Sequence, residues 1–316
     1  MEELQRNSRK TFLKQTLYLV GFGALANSPV NVFANSTPKT LRILHTNDWH
    51  SRIEPFPATD KNLGGQGGAA VRAALINKIR QEEGEILLLD AGDIFQGTPY
   101  FNFYGGELEY KLMSQMGYDC VTLGNHDFDN GIEGLVKQMP HANFDFVNAN
   151  YDFSKTPLQG KVKPYKIYRK KGLKIGVFGL GIELEGLVPN KLFEPIKYND
   201  PIEVANQIAK VLKQEKKCDL VICLSHLGYK YKEKKVSDEI LATQTQNIDL
   251  ILGGHTHTFL PEPITYKNVI NKNVCVNQVG WAGLQVGSLN YTFEPFVNTV
   301  KLPESTLYPL TNIQNG

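Results

Sequence analysis

Several short apolar runs of the sequence end in clusters of Asp, Asn and His, residue types that bind metal ions or transfer protons. The first cluster, Asp48-Trp49-His50, follows the apolar run 41–45. In an extended segment, side chains two positions apart point the same way, so the Asp48 carboxylate and the His50 imidazole could bind one cation. Taken alone, this pattern is more often a turn aspartate beside a surface histidine.

Carboxylates and a histidine follow two further apolar runs. Asp90 and Asp93 come after the run 87–89, and two carboxylates at one strand end repel each other unless a cation or a partner is present. A turn or a helix cap is the alternative role for this pair. His226 follows the run 220–224, where a single histidine is more often structural than a ligand.

The segment Gly-Asn-His-Asp-Phe-Asp over 124–129 is more specific than these clusters, and it also follows an apolar run. Asn125 offers a neutral oxygen ligand, and His126 can act as an acid or a base. An aspartate in the same segment can orient that histidine. A polar turn is the alternative interpretation.

His255 and His257 follow the last of these runs, 248–252, after two glycines that let the backbone approach closely. If none of the clusters had a function, Asp, Asn or His would have to occur by chance at five separate strand ends. The clusters taken together therefore indicate a shared site. The number of candidate ligand side chains is large enough to bind two metal ions. The candidate ligands are Asp48, His50, Asp93, Asn125, His226, His255 and His257. Nitrogen and hard oxygen ligands without cysteine suit Mn²⁺, Zn²⁺, Fe or Co²⁺ without choosing among them.

Strands and helices must position these clusters, and the hydrophobic pattern predicts their alternation along the chain. The predicted strands are 41–45, 86–89, 120–123, 173–180, 220–224 and 249–252. The predicted helices are 69–83, 106–116, 200–217 and 237–246. Residues 262–300 lack helical spacing and are typical of strands joined by turns. This alternation predicts an α/β fold in which helices cover a sheet on both faces.

The first 34 residues have the pattern of an export signal. A basic region precedes a short apolar core over 17–26, and Val32-Phe33-Ala34 offers a cleavage position. Residues 8–14 resemble the twin-arginine pattern with Lys10 in place of the second arginine. We therefore expect export, by the Sec or the twin-arginine route, to the periplasm or the cell exterior.

The charge balance of the remaining chain argues against binding to nucleic acid polymers. Removing residues 1–34 takes away four basic and two acidic side chains, which leaves 30 of each. A neutral chain lacks the basic surface that contacts phosphate backbones. No later apolar run is long enough to span a membrane, so we expect no integral membrane segment in the mature chain.

The ordered set D-x-H, GD, GNH, H and GHxH resembles the calcineurin-like metallophosphoesterases. The longer motifs LHTNDWH, LLLDAGDIFQGTP, YDCVTLGNHDFDNG and LILGGHTH are similar to the catalytic domain of the exported 5′-nucleotidase/UDP-sugar hydrolase family. This resemblance covers residues 40–290. It implies a four-layer sandwich of two mixed β-sheets flanked by helices.

The resemblance also implies two divalent metal ions and a role for each polar residue. The ligands of one ion would be Asp48, His50 and His257, those of the other Asn125, His226 and His255, and Asp93 would bridge them. His126 would be the catalytic histidine, with Asp129 as its orienting partner, and Asn125 and His126 would contact the phosphate. Asp90 would be a supporting or structural acid, and Asp127 stands where many members have Glu.

The expected activity is therefore 5′-nucleotidase-type removal of phosphate from nucleotides. Two metal ions can convert a bridging water into a hydroxide that attacks phosphorus in line. The same chemistry on 2′,3′-cyclic nucleotides, UDP-sugars or another ester is an alternative. A non-catalytic periplasmic subunit that binds metal or phosphate is the alternative from a different class.

Residues 35–316 are predicted to form a single catalytic domain without the C-terminal nucleotide-binding domain of the family. That domain usually stacks the base and supplies arginines, and no arginine follows Arg169 here. We expect that a separate polypeptide could supply it. Arg52, just past the first cluster, is a weaker candidate for substrate contact. The Lys- and Tyr-rich stretches 151–171 and 229–235 are expected to be solvated, with docking of that second domain as the alternative.

Overall fold

The structure is a computed structural model that describes residues 38–294 and 302–311. The predicted export signal over 1–34 lies outside these residues. None of the helices in the described ranges has the length and apolar character needed to cross a membrane. The single catalytic domain over 35–316 stays a prediction.

The described residues form two larger sheets and a small one. The strands are β1 (Lys39–Thr46), β2 (Leu87–Asp90), β3 (Cys120–Val121), β4 (Asp145–Val147), β5 (Tyr151–Asp152), β6 (Val162–Lys163), β7 (Tyr165–Lys170), β8 (Leu173–Gly181), β9 (Lys197–Tyr198), β10 (Leu220–His226), β11 (Leu250–Gly253), β12 (Ile264–Lys267), β13 (Asn273–Asn277), β14 (Gln285–Phe293) and β15 (Glu304–Pro309). The helices are α1 (Ala69–Glu83), α2 (Pro99–Tyr104), α3 (Glu107–Met116), α4 (Gly131–Gln138), α5 (Asn190–Phe193), α6 (Pro201–Lys210) and α7 (Asp238–Gln244).

Both larger sheets are mixed. In the first, the strand order is β15-β14-β1-β2-β3-β4-β6, with β14 antiparallel to β1 and β15 antiparallel to β14. In the second, the order is β12-β13-β11-β10-β8-β7, and the outer strands β12 and β7 are antiparallel to their neighbours. The short strands β5 and β9 pair separately.

The two sheets pack face to face, and each carries helices on its other face. Ile43 of β1 lies in one buried cluster with Val177 of β8 and Ile222 of β10, so this cluster fills the space between the sheets. Leu44, the next residue along β1, lies instead in the cluster that includes α1 and α3. Phe178, next to Val177, packs with α6 and α7. Successive strand residues point to opposite faces, so buried strands become continuous apolar runs.

This packing gives the four layers that the family resemblance implies. The α/β class predicted from periodicity is confirmed, but the helices cover one face of each of two sheets rather than both faces of one, because hydrophobic periodicity does not reveal what covers a buried face. The helix predicted over 200–217 begins as expected at Pro201, where the Asp200 carboxylate accepts the N–H of Ile202 and Glu203. Its last part, Val211–Glu215, is a π-helical turn.

The strand ends bring the polar clusters to one region. β1, β2 and β3 are parallel neighbours in the first sheet, and β10 and β11 are parallel neighbours in the second. Every cluster lies at or just past the carboxyl end of one of these strands. Ligand sites in α/β sheets lie beyond such ends.

Candidate metal centre

The polar clusters form two groups of candidate ligands at the carboxyl ends of the strands. The first group is Asp48, His50 and His257, and the second is Asp93, His226 and His255. Within each group the candidate ligand atoms all lie within 4.8 Å of one another. His50 and His257, which are 207 positions apart in the chain, are therefore close enough to bind a single ion.

Asp93, a member of the second group, also lies close to His50 of the first group. Its Oδ2 atom is 3.1 Å from Nε2 of His226 and 4.0 Å from Nε2 of His50. Asp48 Oδ1 is likewise 4.0 Å from His226 Nε2. A carboxylate in this position can bridge two cations, as the resemblance implies.

Asn125 joins the second group. Its Oδ1 atom is 2.9 Å from Nδ1 of His255. The structure thus brings together all seven residues that the sequence suggests as ligands. Their role as metal ligands stays a prediction.

The surroundings of His226 test whether the centre suits a metal ion. The ring is fully buried, and its Nδ1 donates to the carbonyl oxygen of Ala91 at 2.7 Å. In the neutral ring, Nε2 then directs a lone pair towards Asp93 Oδ2, and within the described residues Nε2 has no hydrogen-bond partner of good geometry. A lone pair that faces a carboxylate is unfavourable, so in the metal-free ring a proton lies between the two atoms. A divalent metal ion would take the place of that proton, and the site therefore fits such an ion.

Burial and charge act against each other on the histidines. Burial acts to lower the pKa of His226, but the Asp93 and Asp48 carboxylates and the hydrogen bond to Ala91 together raise it above its usual value. For His255, burial followed by the charge of His226 lowers the pKa to about 4. Burial is also the main cause that lowers the pKa of His50. Metal ions bind the neutral form of imidazole, which the lowered pKa values of His255 and His50 favour, whereas a metal ion bound at His226 would displace the proton of that ring.

The first cluster has a different backbone from the expected one. Asp48 and His50 adopt left-handed φ angles of 51° and 52° rather than an extended conformation. The Asp48 N–H donates to the Gly92 carbonyl at 2.9 Å, and the His50 N–H donates to the Asp93 carbonyl at 3.1 Å. The two clusters are therefore held together by main-chain bonds, which is what directs both side chains to one centre.

Asp127 has a role that the sequence analysis missed. Its buried carboxylate accepts backbone N–H groups from two loops: those of Asp93, Ile94 and Phe95 at 3.1, 3.0 and 3.3 Å, and that of Gly124 at 2.8 Å. A Cβ atom at Gly124 would lie 2.2 Å from Asp93 Oδ1, so only glycine allows this approach. Asp127 thereby ties the Asp93 loop to the loop that follows β3. The only signal in the sequence was its position two residues after Asn125.

His126 and Asp129 form a pair at the exposed side of the centre. Nδ1 of His126 lies 2.8 Å from Asp129 Oδ2, and its side chain is 35% exposed. The hydrogen bond to Asp129 is the main cause that raises the pKa of His126. The His126 ring lies edge-on to His50, with centroids 5.3 Å apart. This is the arrangement of a histidine that can exchange a proton next to the candidate metal ligands.

Asp90 and Arg52 lie outside both ligand groups. The Asp90 carboxylate accepts hydrogen bonds from the Thr46 hydroxyl at 2.5 Å and from the Gly92 N–H at 2.9 Å. Burial raises the pKa of Asp90 to about 7. The Arg52 guanidinium lies 4.3 Å from the centre of the Phe56 ring. Asp90 is thus placed as a structural acid, and the suggested contact of Arg52 with substrate stays a prediction.

The chain has two tryptophans; Trp281 contacts the first ligand group, and Trp49 lies within its sequence motif. Trp281 stacks parallel to the His257 ring, with centroids 5.5 Å apart and an angle of 5° between the planes. Trp49 lies between Asp48 and His50 in the chain, is buried, and is covered by the guanidinium of Arg72 at 3.9 Å. The sequence does not predict the stacking of Trp281 on His257 or of Arg72 on Trp49; it shows only that Trp49 lies between two candidate ligands.

Residues 41–259 match the family described as calcineurin-like phosphoesterase, which is more than half of the chain. The chain belongs to this family. It is 35% identical over 283 residues to the 5′-nucleotidase of Vibrio vulnificus (strain CMCP6), covering 85% of this chain and 49% of that protein.

Solved structures of the family have the same fold. The 5′-nucleotidase precursor from Thermus thermophilus superposes with a TM-score of 0.77 at 32% identity, covering 86% of this chain and 55% of that one. The NAD nucleotidase of Haemophilus influenzae gives a TM-score of 0.76 at 31% identity, with 87% and 57% covered. The present chain, a calcineurin-like phosphoesterase, thus spans about half the length of the relatives that it matches.

Proposed function

We propose that this chain is a metal-dependent phosphoester hydrolase that removes phosphate from nucleotides. The observation that carries the proposal is the pair of adjacent ligand groups with Asp93 between them, next to the hydrogen-bonded His126. The similarity to 5′-nucleotidases supports nucleotides as the substrate class. Because those relatives are about twice as long, the substrate of the whole protein is part of the proposal.

Each residue has a defined task in this proposal. Asp48, His50 and His257 would hold one divalent ion, Asn125, His226 and His255 the other, and Asp93 both. When bound, two such ions lower the pKa of a water molecule and offset charge on the phosphoryl oxygens. The donor set suits Mn²⁺, Zn²⁺, Fe or Co²⁺.

His126 would supply the proton. Its Nδ1–H donates to Asp129, so Nε2 is the atom that can give a proton to the leaving oxygen or bind a phosphoryl oxygen. Because Asp129 raises the pKa of His126, more of the ring is protonated near neutral pH than for a free histidine. General acid help of this kind contributes about 10²- to 10⁴-fold in rate.

The test compares His126→Ala with His141→Ala. His141 is a matched control, because it is a histidine of similar exposure, 32% against 35%, and contacts Glu107 rather than the ligand groups. Metal-stripped protein is resupplied with Mn²⁺, Zn²⁺ or Co²⁺ and assayed on AMP and p-nitrophenyl phosphate. We expect metal-dependent turnover that falls about 10²-fold or more in His126→Ala only.

Two outcomes would favour other functions. Turnover of 2′,3′-cyclic nucleotides, UDP-sugars or another ester well above that of AMP would favour the same chemistry on a different substrate. Tight binding of metal without turnover of any ester would favour a subunit that only binds metal or phosphate.

Export and a second domain are further parts of the proposal. The pattern of residues 1–34 supports export to the periplasm or cell exterior, which fractionation of cells expressing the full chain would test. Family members in which a second domain contacts the base support a contribution from such a domain, in this polypeptide or a separate one. If the latter holds, adding the separate domain should raise the preference for nucleotides over p-nitrophenyl phosphate, and an unchanged preference would contradict it.

A further inference from the structure

One short loop supplies a candidate ligand to each of the two groups. His255 belongs to the second group and His257 to the first. Both residues follow β11, and both adopt left-handed φ angles, 74° and 52°. Such angles are unfavourable for residues other than glycine, so neighbouring contacts must hold the loop in this conformation. Both ligand groups therefore depend on the contacts that fix these few residues.

A single buried amide contacts this loop on both sides of each histidine. The side chain of Gln278, the residue after β13, is fully buried. Its Nε2 donates to the Gly254 carbonyl oxygen at 2.5 Å, just before the first histidine. Its Oε1 accepts the Thr258 N–H at 2.5 Å, just after the second histidine, and the Thr256 hydroxyl at 3.1 Å. One side chain thus fixes positions 254, 256 and 258, and the histidines occupy the two positions between them.

The orientation of the amide is determined by its main-chain partners. The Gly254 carbonyl can only accept and the Thr258 N–H can only donate, so an amide rotated by half a turn would lose both bonds. The carbonyl oxygen of Gln278 itself accepts the Leu260 N–H at 3.1 Å. A Cβ atom at Gly253 would lie 3.2 Å from Nε2, so the amide also packs against the end of β11. Gln278 therefore has one orientation that satisfies all of these groups.

Thr256 connects the amide to a second segment of the centre. Its hydroxyl oxygen accepts the Tyr229 N–H at 2.9 Å and lies 2.9 Å from the Thr258 hydroxyl. Tyr229 is three positions after His226, so this bond joins the loop after β11 to the segment after β10. The contacts of Gln278 thereby extend to the segment that carries a third candidate ligand.

We propose that Gln278 is a positioning residue of the metal centre, which holds His255 and His257 so that one loop serves both ions. The inference rests on the proposed metal-dependent function and adds the residue that couples the two ligand groups. The amide acts through the main chain on either side of the histidines, and not as a ligand. Loss of a side chain that orients metal ligands commonly weakens metal binding about 10- to 100-fold.

A purely structural role is the alternative, and Asn268 provides a matched control for it. Asn268 is also a buried amide, and its Oδ1 accepts two backbone N–H groups, those of Ile270 and Lys272, at 3.1 and 2.9 Å. It lies between β12 and β13, at the other end of β13 from Gln278. Gln278→Met and Asn268→Leu each replace an amide by an apolar side chain of similar size. Both should lower the stability to urea unfolding.

The experiment titrates Mn²⁺ calorimetrically into the metal-stripped full chain and the two variants. We expect binding of both ions to weaken about tenfold or more in Gln278→Met and to stay unchanged in Asn268→Leu. The absorption spectrum of the Co²⁺-loaded protein, which reports coordination geometry, should change in Gln278→Met only. Affinities in Gln278→Met no lower than in Asn268→Leu, or weaker binding of one ion only, would overturn the inference.

A milder pair of variants decides the question if Gln278→Met does not fold. Thr256→Val removes one of the three hydrogen bonds to the amide, whereas Thr256→Ser keeps the hydroxyl. We expect Thr256→Val to weaken binding of both ions about fivefold, as for the loss of one hydrogen bond, and Thr256→Ser to bind them like the unmodified chain. Equal affinities of the two variants would contradict the inference.

Hydrogen exchange of the metal-free protein separates failure of this inference from failure of the proposed function. The Thr258 N–H, which donates to Gln278, should be protected in the unmodified chain and should lose protection in Gln278→Met but not in Asn268→Leu. Equal protection in all three proteins would overturn the inference. If the unmodified chain binds no metal ion, the proposed function is contradicted, and exchange of this N–H still decides whether Gln278 holds the loop.

Discussion

Replacing Asp127 by asparagine should destabilise the protein and loosen the metal centre. The carboxylate accepts four backbone N–H groups, two on each oxygen. An amide keeps one oxygen and turns an NH₂ group towards the other two donors. Losing two bonds to a charged acceptor costs about 3–6 kcal/mol at about 1.5–3 kcal/mol each. Burial raises the pKa of Asp127 to about 7, so the charged form is itself costly, and we take the lower end, about 3 kcal/mol.

The assay is thermal and urea unfolding of metal-free protein, with Asp152→Asn as the control. Asp152 also accepts a backbone N–H, that of Ser154 at 2.9 Å, but at an exposed site, so its change should stay within about 0.5 kcal/mol. For Asp127→Asn, about 3 kcal/mol corresponds to a midpoint roughly 6–12 °C lower. Calorimetric titration should also show weaker metal binding, because Asp93 is less restrained. A stability within about 0.5 kcal/mol of the unmodified protein would refute the reasoning.

Three further predictions follow from single contacts. Asp129→Asn removes the main cause of the raised pKa of His126, so in NMR titrations of metal-free protein this pKa should fall, and the alkaline limb of the activity profile should move to lower pH. Trp281→Ala removes the ring stacked on His257 and should weaken binding of one of two metal ions about three- to tenfold in calorimetric titrations, whereas Trp281→Phe should keep most of the affinity. Burial raises the pKa of Asp238 to about 8, so folding favours its protonated form, and stability is lost as pH rises from the unfolded pKa through the folded one. Asp238→Asn should flatten this decline between about pH 4 and 8 in urea unfolding, and an unchanged slope would contradict the assignment.

The candidate ligands could be predicted because chemistry and local structure coincide in the sequence. Each follows an apolar run long enough to be a buried strand, as His226 follows 220–224. The start of α6 could also be predicted, because Asp200 before Pro201 is typical of a helix start. In the structure, the Asp200 carboxylate accepts hydrogen bonds from the first turn of this helix. Both features depend on neighbouring residues only.

Other contacts could not be predicted because they join residues that are distant in the chain. Asp127 was noted as a variation in a motif, and its hydrogen bonds to the Asp93 loop exist only when two loops meet. Trp281 has no pattern around it that indicates stacking on His257. The stretch 229–235 was expected to be solvated, and its lysines are exposed, but the hydrogen bond from the Tyr229 N–H to Thr256 joins residues 27 positions apart and has no local signal.

The sequence by itself determined which residues of the centre can bind metal, their order along the chain, and the strand end at which each is found. Short stretches of sequence are enough for these predictions, because the spacing of apolar residues and the presence of turn residues determine strands and turns over only a few positions. The tertiary structure decided which of these atoms meet. Packing two sheets face to face sets Asp93 between His50 and His226 and turns Asp48 and His50 into left-handed conformations that neighbouring main-chain bonds maintain. Such distances depend on how layers stack, and no short stretch of sequence contains that information.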